Sequence, residues 1–237
     1  MATYYVDPQN GDNGTGDGSI GTPWATTQYA IDNGTWSTTV PNSLKIANTA
    51  AEVFTASLTL TGLTNVEYPF LFEGYDAGGS LTGDGPFGTT IDVVGEWDGD
   101  NAISTFHAYQ GLVSYKNMKM HGVTSNFNRT AGGIMINCDV SDIGTSNGPR
   151  GYTCVTNSRI DGSTSRYGTI YQCADVSHCE VIGGELGISM NASTSTVENN
   201  LIRGQSGQSG RQGRAVYIDD SAIFRNNTLD GTGGDSD

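Results

Sequence analysis

The sequence has little charge, and most of that charge is negative. Charged residues make up only 15% of the 237 residues, and the formal net charge is −14 at pH 7. Long amphipathic helices need more charge on their exposed faces, which argues against an all-α fold. A surface this acidic repels phosphate groups, so we expect neither a nucleic-acid partner nor binding to an anionic membrane.

Long apolar runs, an export signal and a cysteine motif are also missing. No stretch of about twenty apolar residues occurs, which argues against a membrane-spanning helix. The first residues show neither the basic start nor the apolar run of a secretory signal. The four cysteines follow no CxxC spacing, which argues against a zinc site or a redox motif. We expect free thiols in a protein made in a reducing cytosol.

The sequence does contain a repeat. Six segments share an anchor position, and the anchors are Asn117, Asn137, Asn157, His178, Asn199 and Asn226. Successive anchors are 20, 20, 21, 21 and 27 residues apart, and a period of this length is typical of a solenoid. We expect the anchors to adopt the left-handed conformation that Asn tolerates and to hydrogen-bond one another from coil to coil.

Two apolar columns flank the anchors. The second residue before each anchor and the third after it are apolar or aromatic in all six segments, as with Val155 and Ile160 around Asn157. The alternation around these positions has period two, which is typical of strands. The sequence therefore predicts an all-β fold: a right-handed, single-stranded parallel β-helix with coils of about twenty residues.

The N-terminal part differs from the coils. Residues 1–44 predict a short strand, a Gly- and Asp-rich loop, and a short capping helix that Thr22 begins and Gly34 ends. Such a helix would cover the open end of the solenoid. Residues 45–237 are predicted to form the coils of the same domain, which we expect to continue past residue 237 or to meet a partner there. Residues 204–214 are predicted to form a loop.

The opening of the chain resembles a known superfamily. The pattern YYVD…G…GDG…GTPWATTQYAID is similar to the opening of pectin-lyase-like β-helix proteins. Together with the Asn-bearing coils from about residue 110 onward, it covers much of the chain. This superfamily includes polysaccharide lyases and hydrolases, bacterial surface proteins, and phage tailspikes and other virion appendages. The resemblance specifies the fold better than the function.

An outward-facing column carries the candidate catalytic residues. Two residues after the anchors stand Lys119, Asp139, Arg159 and Glu180, so charges of alternating sign follow one another from coil to coil. One interpretation is a surface stack of ion pairs. The other is a carboxylate and arginine site acting on a sugar, since lyase chemistry needs a base and a group that stabilises charge. A hydrolytic pair of Asp139 and Glu180 is a further alternative, although Arg159 lies between them.

Two further candidate sites come from single features. Asp12 and Asp17 in the Gly-rich loop form a loose calcium-binding pattern without the closing Glu of an EF-hand. Lyases of the resembling superfamily often hold calcium with clustered aspartates, so Ca²⁺ is the one cofactor that the sequence suggests. Trp97 is the candidate for stacking on a sugar, with core packing as the alternative.

The functional prediction follows from these features. The first hypothesis is a structural protein of a phage virion, either a capsid decoration, a head fibre or a tail appendage, assembled in the host cytoplasm with other virion subunits or with itself, for example as a trimer. The second is a polysaccharide-degrading lyase or hydrolase, which would reach the extracellular space by a non-Sec route. A third is a glycan-binding surface protein without catalytic activity.

Overall fold

The protein is a parallel β-helix, as the repeat predicts. The computed structural model describes residues 2–60, 69–107, 111–127, 130, 132–144, 147–162, 169–190, 195–205, 213–218 and 222–230. Within these ranges there is one α-helix, Thr27–Asn33, and one 3-10 turn, Pro86–Gly88; nearly all other regular structure is strand. Most of the predicted loop at 204–214 lies outside the described residues. The right-handed sense of the coil stays a prediction from the usual handedness of parallel crossovers.

Two long parallel sheets carry the coils. Sheet 1 contains, in spatial order, Ala2–Val6, Asn42–Ala47, Phe70–Tyr75, Val113–Lys116, Ile134–Ile136, Cys154–Thr156, Asp175–Ser177, Ser195–Glu198 and Ala222–Arg225. Sheet 2 contains Glu52–Val53, Gly95–Ile103, Met118–Val123, Asp139–Val140, Arg159–Asp161, Glu180–Ile182, Leu201–Arg203 and Thr228–Asp230. Spatial order equals chain order in both sheets, so each coil stacks on the coil before it.

Two smaller sheets complete the fold. Sheet 3 is parallel and contains Ile170–Tyr171, Leu186–Met190 and Arg214–Ile218. An antiparallel hairpin, residues 83–91, pairs Gly83–Asp84 with Thr90–Ile91. The hairpin lies outside the coil pattern and matters for the candidate site.

The anchors behave as their residue type predicts. All six have positive φ, between 47° at Asn157 and 56° at Asn199, so each makes the left-handed turn between a strand of sheet 1 and a strand of sheet 2. Asn137 donates to Asn117 Oδ1 at 2.7 Å, and Asn157 donates to Asn137 Oδ1 at 3.0 Å. The predicted side-chain ladder is therefore confirmed across three coils.

A second, internal ladder was not predicted. It uses the residue that follows each anchor, where Ser158 Oγ accepts from the backbone N–H of Cys138 at 3.0 Å. Asn200 Oδ1 accepts from the N–H of Cys179 at 2.9 Å, and Asn227 Oδ1 accepts from Asn200 Nδ2 at 2.9 Å. Ser158 and Asn200 are buried, and they satisfy backbone N–H groups at the coil corner that would otherwise lie in the core without a partner.

The two apolar columns form the core in all coils but the last, where Phe224 and Leu229 are exposed. Val155, Ile160, Val176 and Val181 are fully buried, as the alternation predicts. All four cysteines are free, and three are buried, while Cys154 is half-buried. Burial raises the pKa of Cys138, Cys173 and Cys179 to about 12, so these thiols stay protonated and pack as small apolar groups.

The N-terminal helix packs where the sequence predicts, but it begins later. Ala30 and Ile31 are buried in the core, and the helix ends at Gly34 as predicted. Thr26, not Thr22, is the N-cap: its side chain accepts from the N–H of Tyr29. Thr22 instead donates its hydroxyl to Asp17, which holds it in the loop before the helix. Strand Ala2–Val6 pairs in parallel with Asn42–Ala47, so the N-terminal segment and the first coil share one sheet. The boundary predicted between residues 44 and 45 lies within the second of these strands, and it stays a prediction.

Candidate functional site

The outward charge column forms in the predicted register. Lys119 lies opposite Asp139, Asp139 opposite Arg159, and Arg159 opposite Glu180 on neighbouring strands of sheet 2. The column extends one coil further than predicted, because Glu96 lies opposite Lys119. The charges therefore alternate in sign over five coils.

The hairpin 83–91 covers the middle of this column. The N–H of Asp84 donates to Asp139 Oδ2 at 2.9 Å, and the N–H of Phe87 donates to Glu180 Oε2 at 3.1 Å. Only 5% of each carboxylate side chain, Asp139 and Glu180, is exposed. A site at Asp139, Arg159 and Glu180 that acts on a sugar would need an open groove, but in this structure a segment distant in sequence covers both carboxylates.

The same column residues, Asp139, Arg159 and Glu180, also form ion pairs. Arg159 lies 3.4 Å from Asp139 Oδ1 and 3.4 Å from Asp161 Oδ2, and Arg203 pairs with Glu180 Oε1. Burial raises the pKa of Asp139, although the Asp84 N–H and the Arg159 charge oppose that shift. A general base needs an approachable lone pair, whereas each oxygen of these two carboxylates already contacts an N–H or a guanidinium group and the side chains are almost fully covered. The arrangement favours the ion-pair interpretation over a catalytic one.

A partly buried histidine next to the column, His121, was not among the candidate residues chosen from the sequence. His121 Nε2 lies 2.8 Å from Glu96 Oε1, and its Nδ1 lies 3.5 Å from Asp98 Oδ1. Lys119 also contacts Glu96, at 3.0 Å. The hydrogen bond to Glu96 raises the pKa of His121. Burial opposes ionisation of Glu96, but the bonds from His121 and Lys119 outweigh it and lower the pKa of that carboxyl.

The backbone beside this histidine is irregular. The register of strand Gly95–Ile103 against Met118–Val123 shifts between Asp98 and Ile103. Asp100 and Asn101 within the shift have φ of 46° and 53°, a left-handed conformation that Asp and Asn tolerate better than other residues with a side chain. The sequence signal for this cluster was the alternation of polar and apolar residues in Glu-Trp-Asp at 96–98 and in Lys-Met-His at 119–121. They could not be aligned from sequence, because the anchor repeat does not extend before residue 115.

Trp97 lies in the core and not on the surface. Its side chain has no exposed area, and its ring lies 4.7 Å from Phe72 and 5.4 Å from Phe54 between ring centroids. A sugar needs an open ring face on which to stack. The prediction of a carbohydrate contact at Trp97 is therefore corrected to core packing, the alternative named from sequence.

The proposed calcium ligands are occupied by turn hydrogen bonds. Asp12 accepts from the N–H of Gly14 at 2.6 Å and from the hydroxyl of Thr15 at 2.7 Å. Asp17 accepts from the N–H of Ser19 at 2.9 Å, and hydrogen bonds lower its pKa to about 2. In the parts of the chain that the structure describes, no group of three or more His, Cys, Asp or Glu residues could hold a metal ion. The two aspartates shape the loop through these hydrogen bonds, and calcium binding at Asp12 and Asp17 stays a prediction.

Comparison with known proteins adds little to this description. No protein-family model matches the chain, and no curated protein sequence is similar to it. Among solved structures, the chain is similar to the native GH136 lacto-N-biosidase from Eubacterium ramulus, with 10% sequence identity and a TM-score of 0.29. The similarity covers 96% of this chain and 68% of that one. A likeness this weak carries no argument about activity. No helix in the described ranges is long and apolar enough to span a membrane.

Proposed function

We propose that this chain is a structural β-helix subunit of a larger assembly, with a phage virion as its setting: a capsid decoration, a head fibre or a tail appendage. One observation carries the proposal. The residues best suited for chemistry, Asp139, Arg159 and Glu180, are held by ion pairs and backbone N–H groups beneath a hairpin. Such a neutralised column stabilises the stacking of coils and offers no approachable base to a substrate.

Two features support the virion setting. The resemblance of the opening segment to a superfamily with virion appendages favours it, and so do four free cysteines, which suit assembly in a reducing cytosol. Other virion subunits, or further copies of this chain, are the proposed partners. The gene neighbourhood tests the setting: neighbouring capsid and tail genes would support it, whereas neighbouring sugar-utilisation genes would contradict it.

The structural role has a direct test. The purified chain is incubated with a panel of acidic and neutral polysaccharides, with and without calcium, and released oligosaccharides are quantified. We expect no release. Release that disappears in Arg159→Ala would contradict the structural role and assign the chemistry to the column. An unchanged release in that variant would also contradict it and would direct attention to another site.

A polysaccharide-degrading enzyme is the second candidate, and one observation favours it. The imidazole of His121 lies between the carboxylates of Glu96 and Asp98, 20% exposed, next to the register shift in sheet 2. A histidine whose nitrogens both face carboxylates can act as a general acid or base. His121→Gln tests this candidate, because it should abolish any release of oligosaccharides while Arg159→Ala leaves that release unchanged.

A further inference from the structure

One acidic residue stands in a core column beneath the N-terminal helix. Strand pairing places Glu52 opposite Trp97, and the same inward column continues from coil to coil as far as Ile202. The residues that follow Glu52 in this column are all apolar and fully buried, and Glu52 itself is only 7% exposed. A carboxyl group at a core position is costly unless it is paired or well hydrogen-bonded, so packing alone does not explain this residue.

The hydrogen bonds to Glu52 come from the first turn of the helix Thr27–Asn33. The backbone N–H of Thr27 donates to Oε1 at 2.7 Å, and the Thr27 hydroxyl donates to Oε2. The carboxyl therefore satisfies a free N–H group at the start of the helix and attaches the helix to the coils. Burial raises the pKa of Glu52 to about 7, and the bonds from Thr27 only partly oppose that shift.

No charged group among the described residues compensates an ionised Glu52. Asp98 and Lys45, on neighbouring strands, lie on the outer faces of sheets 2 and 1, where each has a partner of its own. Asp32 is exposed on the helix and accepts from a neighbouring side chain, and Asp7 accepts from N–H groups of its own turn. Loss of the Glu52 proton therefore leaves a negative charge in the core without a cation beside it.

The two ends of the helix are held on the coils in different ways. Apolar contacts hold the C-terminal side, where Ala30 and Ile31 are buried and the ring of Trp36 lies 4.8 Å from the ring of Phe70. The first turn is held through Glu52, and this attachment can titrate. A helix of seven residues is too short to persist alone in water, so its order depends on these contacts.

We propose that Glu52 is a pH-sensitive latch for the N-terminal cap, which consists of the helix Thr27–Asn33 and Trp36. While the carboxyl is protonated, the cap closes this end of the solenoid. When the carboxyl loses its proton to the solvent, the cap opens locally and the carboxylate becomes hydrated, while the ladder of Asn117, Asn137 and Asn157 stays folded. The latch does not depend on the proposed structural role and stands apart from it.

The direction of the pH dependence follows from the two states of the carboxyl. In the closed cap Glu52 has a pKa of about 7, whereas a hydrated carboxyl in the open cap has the ordinary value of 4.5. Between these pH values opening releases a proton, so each pH unit favours the open cap about tenfold, or about 300-fold in all. Above pH 7 both states are ionised, and the opening equilibrium should change no further.

Hydrogen exchange in the intact chain tests the latch. The N–H groups of Ala30 and Gly34 bond to carbonyls one turn earlier, so their protection reports the closed cap. After correction for the chemical exchange rate, their protection should fall by up to about 300-fold between pH 4.5 and pH 7 and then level off. The Asn137 and Asn157 amides should stay better protected at every pH. Low concentrations of urea should accelerate exchange at these ladder amides more than at the cap amides, because local opening exposes less surface than global unfolding.

Two variants separate Glu52 from other titrating groups. Glu52→Gln keeps an oxygen that accepts from the Thr27 N–H but cannot ionise, so protection of the cap amides should no longer depend on pH. Asp32→Asn, which removes an exposed carboxyl from the same helix, is the matched control and should keep the wild-type pH dependence. The proposal is overturned by cap protection that is constant with pH in the wild type, or by the same pH dependence in Glu52→Gln. Equal protection and equal urea dependence of cap and ladder amides would also overturn it, since the cap would then open only with the whole molecule.

A second measurement covers the case in which Glu52→Gln does not fold. In the wild-type chain, the carbon-13 chemical shift of the Glu52 carboxyl follows its ionisation directly. The midpoint should lie near pH 7 and coincide with the pH at which cap protection stops falling. A midpoint near 4.5, the ordinary value for a glutamate, would overturn the proposal.

Discussion

The coils before and after residue 113 are built differently. The later coils, here the ladder region, share a short period and a left-handed anchor at the corner between sheets 1 and 2. Their core is mostly aliphatic residues, methionines and thiols, with three buried rings at Tyr115, Phe127 and Tyr152. The earlier coils, here the aromatic region of residues 42–107, lack the anchor repeat. Their core holds Phe54, Phe70, Phe72, Trp97 and Phe106, whose rings lie 4.7 to 5.5 Å apart in several pairs.

The comparison shows two ways to fix a coil. In the ladder region, a left-handed corner recurs in every coil, and five of its six anchors are Asn, with His178 as the exception. In the aromatic region, ring contacts fill a core whose coils differ in length, and no single position must repeat. Both extra features of the molecule, the hairpin 83–91 and the register shift near Asp100, arise in the aromatic region. The following predictions test whether stability depends on rings in one region and on anchors in the other.

The largest expected effect is at Trp97. Trp97→Ala removes a fully buried ring from the centre of the aromatic cluster and should lower the free energy of unfolding by about 3–5 kcal/mol. Urea denaturation measures the change. Trp97→Phe keeps most of the ring contacts and removes an indole N–H that has no hydrogen-bond partner, so it should cost clearly less. Equal losses in the two variants would contradict the view that ring packing holds this region together.

The next effect depends on pH and arises at Glu52. This carboxyl is buried beneath the helix, where it accepts from the backbone N–H of Thr27 at 2.7 Å, and burial raises its pKa to about 7. A raised carboxyl pKa means that the folded state holds the proton more tightly than the unfolded state. The stabilisation is therefore complete below pH 4.5 and is lost as the pH rises towards 7.

The size of this effect follows from the shift in the pKa of Glu52. At 1.36 kcal/mol per pKa unit, the wild type should lose about 3 kcal/mol of stability relative to Glu52→Gln across that pH range. Chemical denaturation at several pH values measures the difference, and Glu52→Gln serves as the control because it cannot titrate. A constant difference between the two proteins would show that the Glu52 carboxyl has the same pKa in the folded and unfolded states, so that its burial does not control its titration.

Substitution of an anchor should have an intermediate effect. Asn137 accepts a hydrogen bond from Asn157, donates one to Asn117, and has φ of 54°. Asn137→Ala loses both bonds and adds left-handed strain, for an expected loss of about 2–4 kcal/mol. Asn137→Gly loses the same hydrogen bonds, but glycine adopts the left-handed conformation without strain. This variant should therefore lose about 1 kcal/mol less stability than Asn137→Ala. If Gly and Ala were equally destabilising, the turn conformation would not be what selects Asn at the anchor.

The sequence could predict the ladder region because its causes are local. A left-handed corner selects Asn, an inward position selects an apolar residue, and both recur at a period visible in one chain, as at Asn117, Asn137 and Asn157. The register of the column from Lys119 to Glu180 followed from that period. What could not be predicted was that a hairpin more than fifty residues earlier covers Asp139, or that Trp97 faces inward. Both depend on the pairing of the aromatic region, where no repeat fixes the register.

The smallest expected effect is at an exposed ion pair of the ladder region. Arg225 lies 2.5 Å from Glu198 on the outer face of sheet 1, and 60% of its side chain is exposed. Water screens such a pair, so a double-mutant cycle with Arg225→Ala and Glu198→Ala should give a coupling of at most about 0.5 kcal/mol. The same cycle at Arg159 and Asp139, beneath the hairpin, should give a larger coupling because the hairpin excludes water from the pair. If the two cycles gave the same coupling, the hairpin would not shield the column, and the column would be as open to solvent as the outer face of sheet 1.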